Sequence, residues 1–480
     1  MFEKSTVMFY WLCFLLFDFC LSSIIAAPAR LDTGHVVPIE SNTLTREFNI
    51  PELEEYDYIE LEDYEDEEDV YSFPEDAFVN KKQFAASKTS DSIRKKFKGK
   101  SRIQRLALVN TDFAFNFYRT LLKLQPSAKN VVFSPFGLSS LMAMVMVGTG
   151  NRTQEQISRA LGFDQFINTK PGTGSEVLHD VFHKLIHRLF RHDFGYTLKD
   201  FSGIYVKEGL KIRKTFKDWL KQYYGAHAQS VDFSEPHVIT KFNQLISRAT
   251  KGKLQDMVKD IDPQTVMLIF QALHFKGLWE HKFIKSKTAM LHFHTSRTAV
   301  VKVPMMYVRA TMLATMDHTH ECDVISLPYS ANASMLVVVP YKTSGLRHIE
   351  RELSWEMVDN WLKDMTNRTR EVYIPKFTLQ GDYDLIEMFQ DLGVMDLFQN
   401  QADLSGVCEQ GNLHISKMKQ RVVMNVDEEG SEAAAVSLSG FIPLSSQAKF
   451  MADRPFLFLI LEHHTRSLLF MGRVVNPLNQ

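Results

Sequence analysis

Apolar and polar residues alternate with helical spacing at two informative places in the chain. The first is "LALVNTDFAFNFYRTLL", which we expect to form the first helix of a globular domain. The second lies in "VFHKLIHRLFRHDFGYTLKD", residues 181–200. Its apolar residues fall on one helical face and are Phe182, Leu185, Ile186, Leu189 and Phe190. Gly195 suits the end of this second helix.

The second helix also predicts a cationic face. The residues that repeat along this face with the same spacing are Lys184, His187, Arg188, Arg191 and His192. No acidic residue interrupts the face before Asp193. One interpretation is an ordinary solvated face. Because like charges at this spacing repel each other, the other interpretation is a site for a polyanion, either a sulfated glycosaminoglycan or an acidic segment of the chain itself.

A third segment fits neither a helix nor an amphipathic strand. It reads "DEEGSEAAAVSLSGFIPLSSQ" and covers residues 427–447. Its alanines favour a helix, but Gly430 precedes them and Ser439, Gly440 and Pro443 follow. No apolar stripe runs through the segment that could bury one helical face.

The N-terminus resembles a secretory signal. Lys4 precedes the apolar run "VMFYWLCFLLF", which Asp18 ends, and we expect cleavage near residues 26–29. No second apolar stretch is long enough to span a bilayer. Three N-x-[ST] tripeptides fit secretion and predict glycosylation at Asn151, Asn332 and Asn367.

The composition predicts one large domain behind an irregular N-terminal region. The chain has 480 residues, of which 45% are hydrophobic, and shows no linker after about residue 105. We predict a signal peptide over residues 1–27, an arm and linker over 28–95, and a globular domain over 96–480. Cys322 and Cys408 remain in the mature chain, either as one disulfide or as two buried thiols.

The net charge of −2 hides a strong asymmetry. Residues 47–76 contain 15 Asp or Glu and no Lys or Arg, so 42 acids and 55 bases remain elsewhere, a balance of +13. This arm should be disordered when free, because its like charges repel and its apolar residues are sparse. It is either a solubilising tail or a ligand for a basic surface.

Candidate contact residues in the arm are acidic residues interleaved with tyrosines. They are Glu54, Glu55, Tyr56, Asp57, Tyr58, Glu60, Tyr64, Asp66, Glu67, Glu68, Asp69 and Tyr71. Tyr56, Tyr58, Tyr64 and Tyr71 are also candidates for sulfation. A basic block follows the arm, with Lys100, Arg102 and Arg105 leading into the first helix.

Enzyme motifs are missing from the sequence. We find neither G-x-S-x-G nor H-E-x-x-H, and "GTGNRT" lacks the spacing of a dinucleotide loop. His318, His320 and Cys322 would lie on one side of a possible strand and could bind zinc, although a core thiol beside strand-end histidines is the commoner arrangement.

The C-terminal third resembles the serpin family. "FMADRPFLFLILEHHTRSLLFMGRVVNP" matches its signature around Asp453-Arg454-Pro455-Phe456, and "NVVFSPFGLSSLMAMVMVGTGNRTQEQI" resembles the helix that carries its shutter serine, here Ser134. "TKGKLQDMV" and "ALHFKGLWEHKF" match two further blocks. The resemblance implies an α+β serpin fold with three β-sheets, about nine helices and an exposed reactive-centre loop over about residues 428–450.

The resemblance also implies inhibition by loop insertion rather than an enzyme activity. Cleavage at Leu444–Ser445 would free the loop to enter the main sheet as a strand. The hinge residues are then Glu428, Gly430, Ser431, Ala433 and Ala435. In an alternating strand the inward residues Ser431, Ala433 and Ala435 are small and uncharged, as insertion requires. A non-inhibitory serpin acting as a carrier is the alternative.

Several segments resemble in particular the thrombin-inhibiting serpins that heparin and dermatan sulfate accelerate: "GKSRIQRL", "HRLF…FGYTL", "MTNRTREV" and "GFIPLSSQ". This implies glycosaminoglycan contacts from Lys184, Arg188 and Arg191, together with Lys100, Arg102 and Arg105. The chain departs from that pattern at His183 and His192, where the relatives carry arginine. Leu444 additionally suits chymotrypsin-like proteases. We expect a plasma monomer without a covalent cofactor, a nucleic-acid partner or a membrane anchor.

Overall fold

The computed structural model describes residues 97–125, 128–165, 174–190, 196–250, 252, 254–256, 258–330, 332–409, 413–429 and 448–479. The predicted signal peptide and acidic arm lie outside these residues, as does most of the predicted reactive loop. Every structural statement below concerns the described residues.

The described residues form nine α-helices. They are α1 (Arg102–Leu124), α2 (Pro135–Met146), α3 (Asn151–Leu161), α4 (Gly174–Leu189), α5 (Lys214–Tyr224), α6 (Val238–Ala249), α7 (Leu346–Glu352), α8 (Trp355–Asp364) and α9 (Ile386–Asp391). Short 3₁₀ turns cover Phe163–Gln165, Lys285–Lys287 and Asp396–Phe398. The two helices expected from periodicity are confirmed as α1 and α4, whereas the helix end predicted at Gly195 lies outside the described residues.

Five strands form the main sheet, in the order β10-β11-β4-β2-β3. Their bounds are β2 (Tyr196–Lys207), β3 (His227–Val231), β4 (Met267–Gly277), β10 (Phe377–Asp384) and β11 (Lys417–Val426). The neighbours β11 and β4 run parallel, while β10 is antiparallel to β11 and β2 is antiparallel to β4. Strand β4 lies at the centre of the core, because its first nine residues, 267–275, are all buried.

Nine strands form a second, continuous sheet in the order β1-β14-β13-β8-β7-β6-β9-β12, with β5 also paired to β6. They are β1 (Val131–Phe133), β5 (Ala289–His294), β6 (Val300–Asp317), β7 (Cys322–Pro328), β8 (Ala333–Pro340), β9 (Thr366–Pro375), β12 (Lys449–Met451), β13 (Phe456–Glu462) and β14 (Leu468–Val474). The 18-residue β6 joins two parts of this sheet, because residues 300–305 pair with β5, residues 305–314 pair with β9 and residues 314–317 pair with β7. These two parts and the main sheet correspond to the three predicted sheets.

Helix α1 shows how the local sequence sets an element of the core. Ser101 caps its N-terminus in a capping box with Gln104, which satisfies backbone donors at the helix start. Its apolar face places Phe113 and Phe117 against Phe389. The burial of these rings fixes α1 in the core, since each fully buried aromatic side chain contributes about 2 kcal/mol or more.

Both cysteines are buried free thiols, so the disulfide alternative is wrong. Burial raises the pKa of the Cys322 thiol to about 12, which keeps it protonated and unreactive at neutral pH. Within the described ranges, no helix combines the length and apolar character needed to cross a bilayer.

Candidate functional site

The seam between β11 and β4 is the central feature of the main sheet. The two strands pair in parallel register from Lys417 opposite Leu268 to Met424 opposite Phe275. The chain leaves β11 at Val426 and enters the segment 427–447, which fitted neither a helix nor an amphipathic strand in the sequence; its residues 430–447 lie outside the described residues. A strand that turned back from β11 into the seam would run antiparallel to both neighbours and would replace slanted parallel bonds by antiparallel ones.

A chain of buried amides crosses the middle of this seam. Gln420 on β11 accepts a hydrogen bond from the backbone N–H of Ser134 at 3.2 Å and donates to Gln271 Oε1 on β4 at 2.9 Å. Ser134 caps α2, since its hydroxyl accepts from Gly137 N–H and donates to the Leu469 carbonyl at 2.8 Å. Helix α2 is thereby tied to both strands, so separating β11 from β4 has to break these hydrogen bonds.

The same series of hydrogen bonds continues onto β2 and ends at the carboxyl group of Asp200. Gln271 Nε2 donates to Ser202 Oγ at 3.2 Å, and Ser202 donates to Asp200. Burial raises the pKa of Asp200 to about 7, against the lowering effect of its hydrogen bonds with Ser202 and Gln271. Asp200 is therefore the titratable end of an otherwise neutral network.

Glu428 holds the first residues after β11. They lie at the end of the seam next to Val426, which we call the upper end. The residue is only 6% exposed, and its carboxylate accepts hydrogen bonds from Thr288 at 2.9 Å and from Lys376 Nζ at 2.7 Å. Burial alone would raise the pKa of Glu428, but the hydrogen bond from Lys376 leads the contacts that together lower it. The carboxylate is thus kept ionised in a largely buried place.

Trp279 and Lys276 bind the two residues on either side of Glu428. The Trp279 indole donates to the Asp427 carbonyl at 2.8 Å, and its backbone N–H donates to the Glu429 carbonyl. Lys276 contacts the carboxylates of Glu429 and Asp427. The hydrogen bond to Lys276 lowers the pKa of Glu429. Residues 427–429 are therefore fixed to the end of β4 before the segment 430–447 begins.

Strand β12 receives the chain at the other end of that segment. Lys449–Met451 pairs in parallel with β9 opposite residues 371–373, and Ala452 N–H donates to the Tyr373 carbonyl at 3.0 Å. The segment thus begins at the main sheet and ends at the second sheet. The described residues on either side of this segment are therefore each fixed to a sheet.

Helix α4 carries the predicted cationic face. Its apolar residues Phe182, Leu185 and Leu189 are fully buried, and the helix packs against α1 and α5. The Tyr196 hydroxyl donates to the Leu189 carbonyl at 3.0 Å and so fixes the C-terminal end of the helix. Lys184 is exposed and Arg188 is half-buried at the surface, which confirms that a basic face points outward.

Two histidines lie within this face. His183 and His187, one turn apart, approach each other to 2.8 Å between their Nε2 atoms, with ring centroids 4.3 Å apart. Burial lowers the pKa of both imidazoles, and in His183 the neighbouring His187 lowers it further. Both rings are therefore neutral at pH 7.4, so the face carries less charge than an arginine at either position would give it.

The basic block before α1 begins at an exposed part of the structure. Lys100 precedes the capping residue Ser101, and Arg102 and Arg105 lie in the first turn of α1. Burial, and to a smaller extent the positive charge of Arg102, lower the pKa of Arg105. Because α1 packs on α4, the two basic segments belong to neighbouring elements.

The structure describes only part of the predicted site. Arg191 and His192 lie outside the described residues, as do the hinge residues Gly430, Ser431, Ala433 and Ala435, the bond Leu444–Ser445, and all the arm residues. The three glycosylation candidates are exposed. Asn151 donates from its side-chain amide to Asp403 at 2.7 Å, while Asn332 and Asn367 lie before β8 and in β9.

The zinc alternative is wrong for the described residues, which contain no group of three or more His, Cys, Asp or Glu placed to hold a metal. His318 and His320 lie in the turn after β6 rather than on a strand. His320 hydrogen bonds Asp317 at 2.6 Å, and Cys322 is fully buried.

Sequence reasoning missed the residues that hold the seam closed. Lys376, Thr288 and Gln420 belong to none of the segments singled out above, and Lys276 and Trp279 were quoted only inside "ALHFKGLWEHKF". A buried polar residue in a mostly apolar strand, such as Gln271 in β4, is a signal that could have pointed to the network.

Comparison with known proteins identifies the family of the chain. The family model described as serpin (serine protease inhibitor) matches residues 108–477. The chain belongs to the serpin family. Heparin cofactor 2 of Rattus norvegicus is 40% identical over 439 residues, which cover 91% of each chain. Heparin cofactor 2 of Homo sapiens is 41% identical over 443 residues, which cover 91% of this serpin and 87% of the relative.

Solved structures agree on the fold. Mouse protein Z-dependent protease inhibitor matches with a TM-score of 0.72 and 32% identity, covering 78% of this serpin and 98% of that chain. Human thyroxine-binding globulin complexed with thyroxine matches equally well, with a TM-score of 0.72 and 30% identity over 79% of this serpin and all of that chain. The fold is therefore shared by a protein named as a protease inhibitor and by a protein named as thyroxine-binding.

Proposed function

We propose that this serpin is a secreted inhibitor of serine proteases that is cleaved at Leu444–Ser445 and traps the protease by inserting its loop into the β11–β4 seam. The observation that supports the proposal most directly is the parallel pairing of β11 and β4, with the loop segment leaving from the end of β11. About 15 residues of the inserted strand, at ~3.3 Å each, would span roughly 50 Å.

The sequence of the segment supports insertion rather than a carrier role. The residues that would face inward after Gly430 are Ser431, Ala433, Ala435 and Ser437, all small and uncharged. Glycine at position 430 permits the sharp backbone change that a hinge needs. A charged or bulky inward residue would have to be buried between the sheet and the helices beneath it.

Thrombin is the proposed target, with chymotrypsin-like proteases as further targets. The support is similarity to proteins named heparin cofactor 2 together with the acidic arm over residues 47–76. Leu444 fits an apolar specificity pocket, whereas thrombin's pocket ends in an acid that leucine leaves unpaired, a cost of about 2–3 kcal/mol. A second contact between the arm and a basic exosite can offset this, because bivalent binding raises apparent affinity by a factor of about 10² or more.

Heparin or dermatan sulfate is the proposed activator. The polyanion would bind Lys184, Arg188 and Arg191 on and after α4, with Lys100, Arg102 and Arg105 near the start of α1. It would compete with the acidic arm for this basic surface and so release the arm to bind the protease. Sulfation of Tyr56, Tyr58, Tyr64 and Tyr71 and glycosylation at Asn151, Asn332 and Asn367 are parts of the same proposal, and both fit an extracellular plasma protein.

The experiment is an inhibition panel of thrombin against chymotrypsin, with and without dermatan sulfate, combined with electrophoresis in SDS. We expect an SDS-stable complex with each protease, and acceleration by dermatan sulfate for thrombin only. Deletion of residues 47–76 should remove most of this acceleration and leave chymotrypsin inhibition unchanged. Arg188→Glu should also abolish the acceleration. A cleaved product without a complex would instead indicate a non-inhibitory serpin.

A further inference from the structure

The series of hydrogen bonds across the seam has a direction that the proposed function does not use. Each member donates toward β2. Gln420 Nε2 donates to Gln271 Oε1 at 2.9 Å, Gln271 Nε2 donates to Ser202 Oγ at 3.2 Å, and Ser202 donates to both carboxyl oxygens of Asp200 at 3.2 Å. The series begins at the backbone N–H of Ser134. A row of donors that all point one way ends at an acceptor, and Asp200 supplies it.

We propose that Asp200 is a proton-dependent positioning residue for loop insertion: its carboxylate strengthens the Gln271–Gln420 contact across the seam, and its protonation loosens that contact and speeds insertion. This inference rests on the proposed insertion of the loop between β11 and β4. Hydrogen bonds in a buried series polarise one another, so a charge at one end acts on every bond of the series. A hydrogen bond to an ionised acceptor is also stronger than one between neutral groups.

The carboxyl group of Asp200 faces uncharged groups on one side of the main sheet. Ser202 pairs with Gln271 across β2 and β4, and Asp200 pairs with Leu273, so these four side chains share that side. Helix α2 packs on the same side, where a Cβ at Gly137 would lie 2.6 Å from Gln271 Oε1, and α2 contains no titratable residue. Burial raises the pKa of Asp200, and the hydrogen bonds that oppose this rise come from uncharged groups.

The charged residues of the neighbouring elements lie on the opposite side of the sheet. Lys199 and His274 pair with each other across β2 and β4, but the alternation of side chains along a strand turns both away from Asp200. Helix α6 packs on that opposite side through Phe242, whose ring contacts Phe270 of β4. The charged residues that the sheet separates from Asp200 in this way are Lys241 and Arg248 of α6 and Lys419 and Arg421 of β11.

Insertion of a strand into the seam separates Gln420 from Gln271 and so ends the series at β4. The small inward residues of the loop carry no amide side chain that could replace that of Gln420. The carboxylate of Asp200 then loses part of its support and holds a proton more tightly than in the closed sheet, so insertion takes up a proton. Asp200 is partly exposed, so solvent supplies this proton. Lowering the pH therefore favours insertion, and raising the pH through the pKa of Asp200, about 7, opposes it.

Uptake of a synthetic peptide by the full-length protein tests the proposal without a protease. The peptide copies residues 430–441, and native electrophoresis in urea follows its insertion at pH 6.0 and pH 8.0. The wild type should insert the peptide roughly fivefold faster at pH 6.0, because the charged hydrogen bond at the end of the series is about twice as strong as a neutral one. Asp200→Asn, neutral at both pH values, should insert it at the faster rate at both.

The control for this measurement is Asp382→Asn, which removes an exposed carboxylate from β10 and should keep the wild-type ratio of rates. Histidines elsewhere in the chain titrate in the same range, and their contribution remains in both variants. An Asp200→Asn variant with the same ratio of rates as the wild type overturns the proposal. Thermal melting checks that each variant is folded.

Gln420→Leu tests whether Asp200 acts through the bond across the seam. This variant keeps the carboxyl group but removes the contact that closes the seam, so its insertion should be faster than that of the wild type at pH 8.0 and equal at both pH values. A Gln420→Leu variant that keeps the wild-type ratio overturns the positioning role. Failure of the wild type to take up the peptide at either pH contradicts the proposed insertion itself.

Discussion

The β11–β4 seam is closed in two different ways along its length. At its upper end charged side chains hold residues 427–429, with Glu428 bound to Lys376 and Glu429 bound to Lys276. At its middle the contacts are neutral, through the buried amides of Gln420 and Gln271. The charged end is partly exposed, whereas the amides at the middle are fully buried.

Reversing the charge of Glu428 should have the largest effect. Glu428→Lys places a second ammonium group beside Lys376 in a place that is only 6% exposed. We expect a loss of about 3 kcal/mol in the free energy of unfolding, together with self-association through the opened seam. Urea unfolding and size-exclusion chromatography measure the two effects. Glu429→Lys is the matched control, because Glu429 is more exposed, and an equal loss there would contradict the comparison.

Removing one amide from the middle of the seam should cost slightly less. Gln420→Leu leaves the backbone N–H of Ser134 and the side-chain oxygen Oε1 of Gln271 without their partner. We expect the free energy of unfolding to fall by about 2 kcal/mol. The double variant Gln271→Leu/Gln420→Leu removes both amides and should recover part of this loss. A double variant with the summed loss of the two single variants would mean that the amides do not act together.

Neutralising Asp200 should stabilise the protein above neutral pH. The ordinary pKa of an aspartate is 3.8, and burial raises the pKa of Asp200 to about 7. Between these two values the folded protein holds a proton that the unfolded chain has released, so Asp200 lowers stability progressively as the pH rises. The difference between these two pKa values sets an upper limit of about 4 kcal/mol. Because Asp200 is partly exposed, we expect Asp200→Asn to gain about 2 kcal/mol at pH 7.5 and less than about 0.5 kcal/mol at pH 4.

Thermal unfolding from pH 4 to pH 8 measures the Asp200→Asn effect. Asp382→Asn on β10 serves as the control, because its carboxylate is exposed. The wild type and Asp200→Asn should differ most above pH 7 and converge at low pH. A constant difference across the whole range would show that the titration of Asp200 is not its cause.

Breaking the exposed ion pair should have the smallest effect. Lys276→Met removes the contacts with Asp427 and Glu429 but keeps most of the apolar side chain, and we expect a loss of about 0.5 kcal/mol. The loss should shrink further in 1 M salt, where exposed charges are screened. A fall in the free energy of unfolding as large as that of Glu428→Lys would mean that Lys276 stabilises the upper end of the seam as strongly as Glu428 does.

Periodicity and motifs predicted the elements better than the contacts between them. The helices α1 and α4 follow from the spacing of their apolar residues, and the serpin fold follows from local blocks such as the one around Asp453. The zinc interpretation failed because sequence spacing could not show that His320 pairs with Asp317. The hinge was predicted from residues 428–435, but the partners of Glu428 come from chain positions about 140 and 52 residues away.

The fold family, the basic face of α4, the acidic arm and the small residues at positions 431–437 could be predicted from the sequence, because each of these is a local pattern. The strands that flank the seam, the neutral amides at its middle and the approach of His183 to His187 are seen only in the folded structure. Such contacts depend on the register of strands and on side-chain orientation. Both are set when distant segments pack into one core, and no local pattern encodes them.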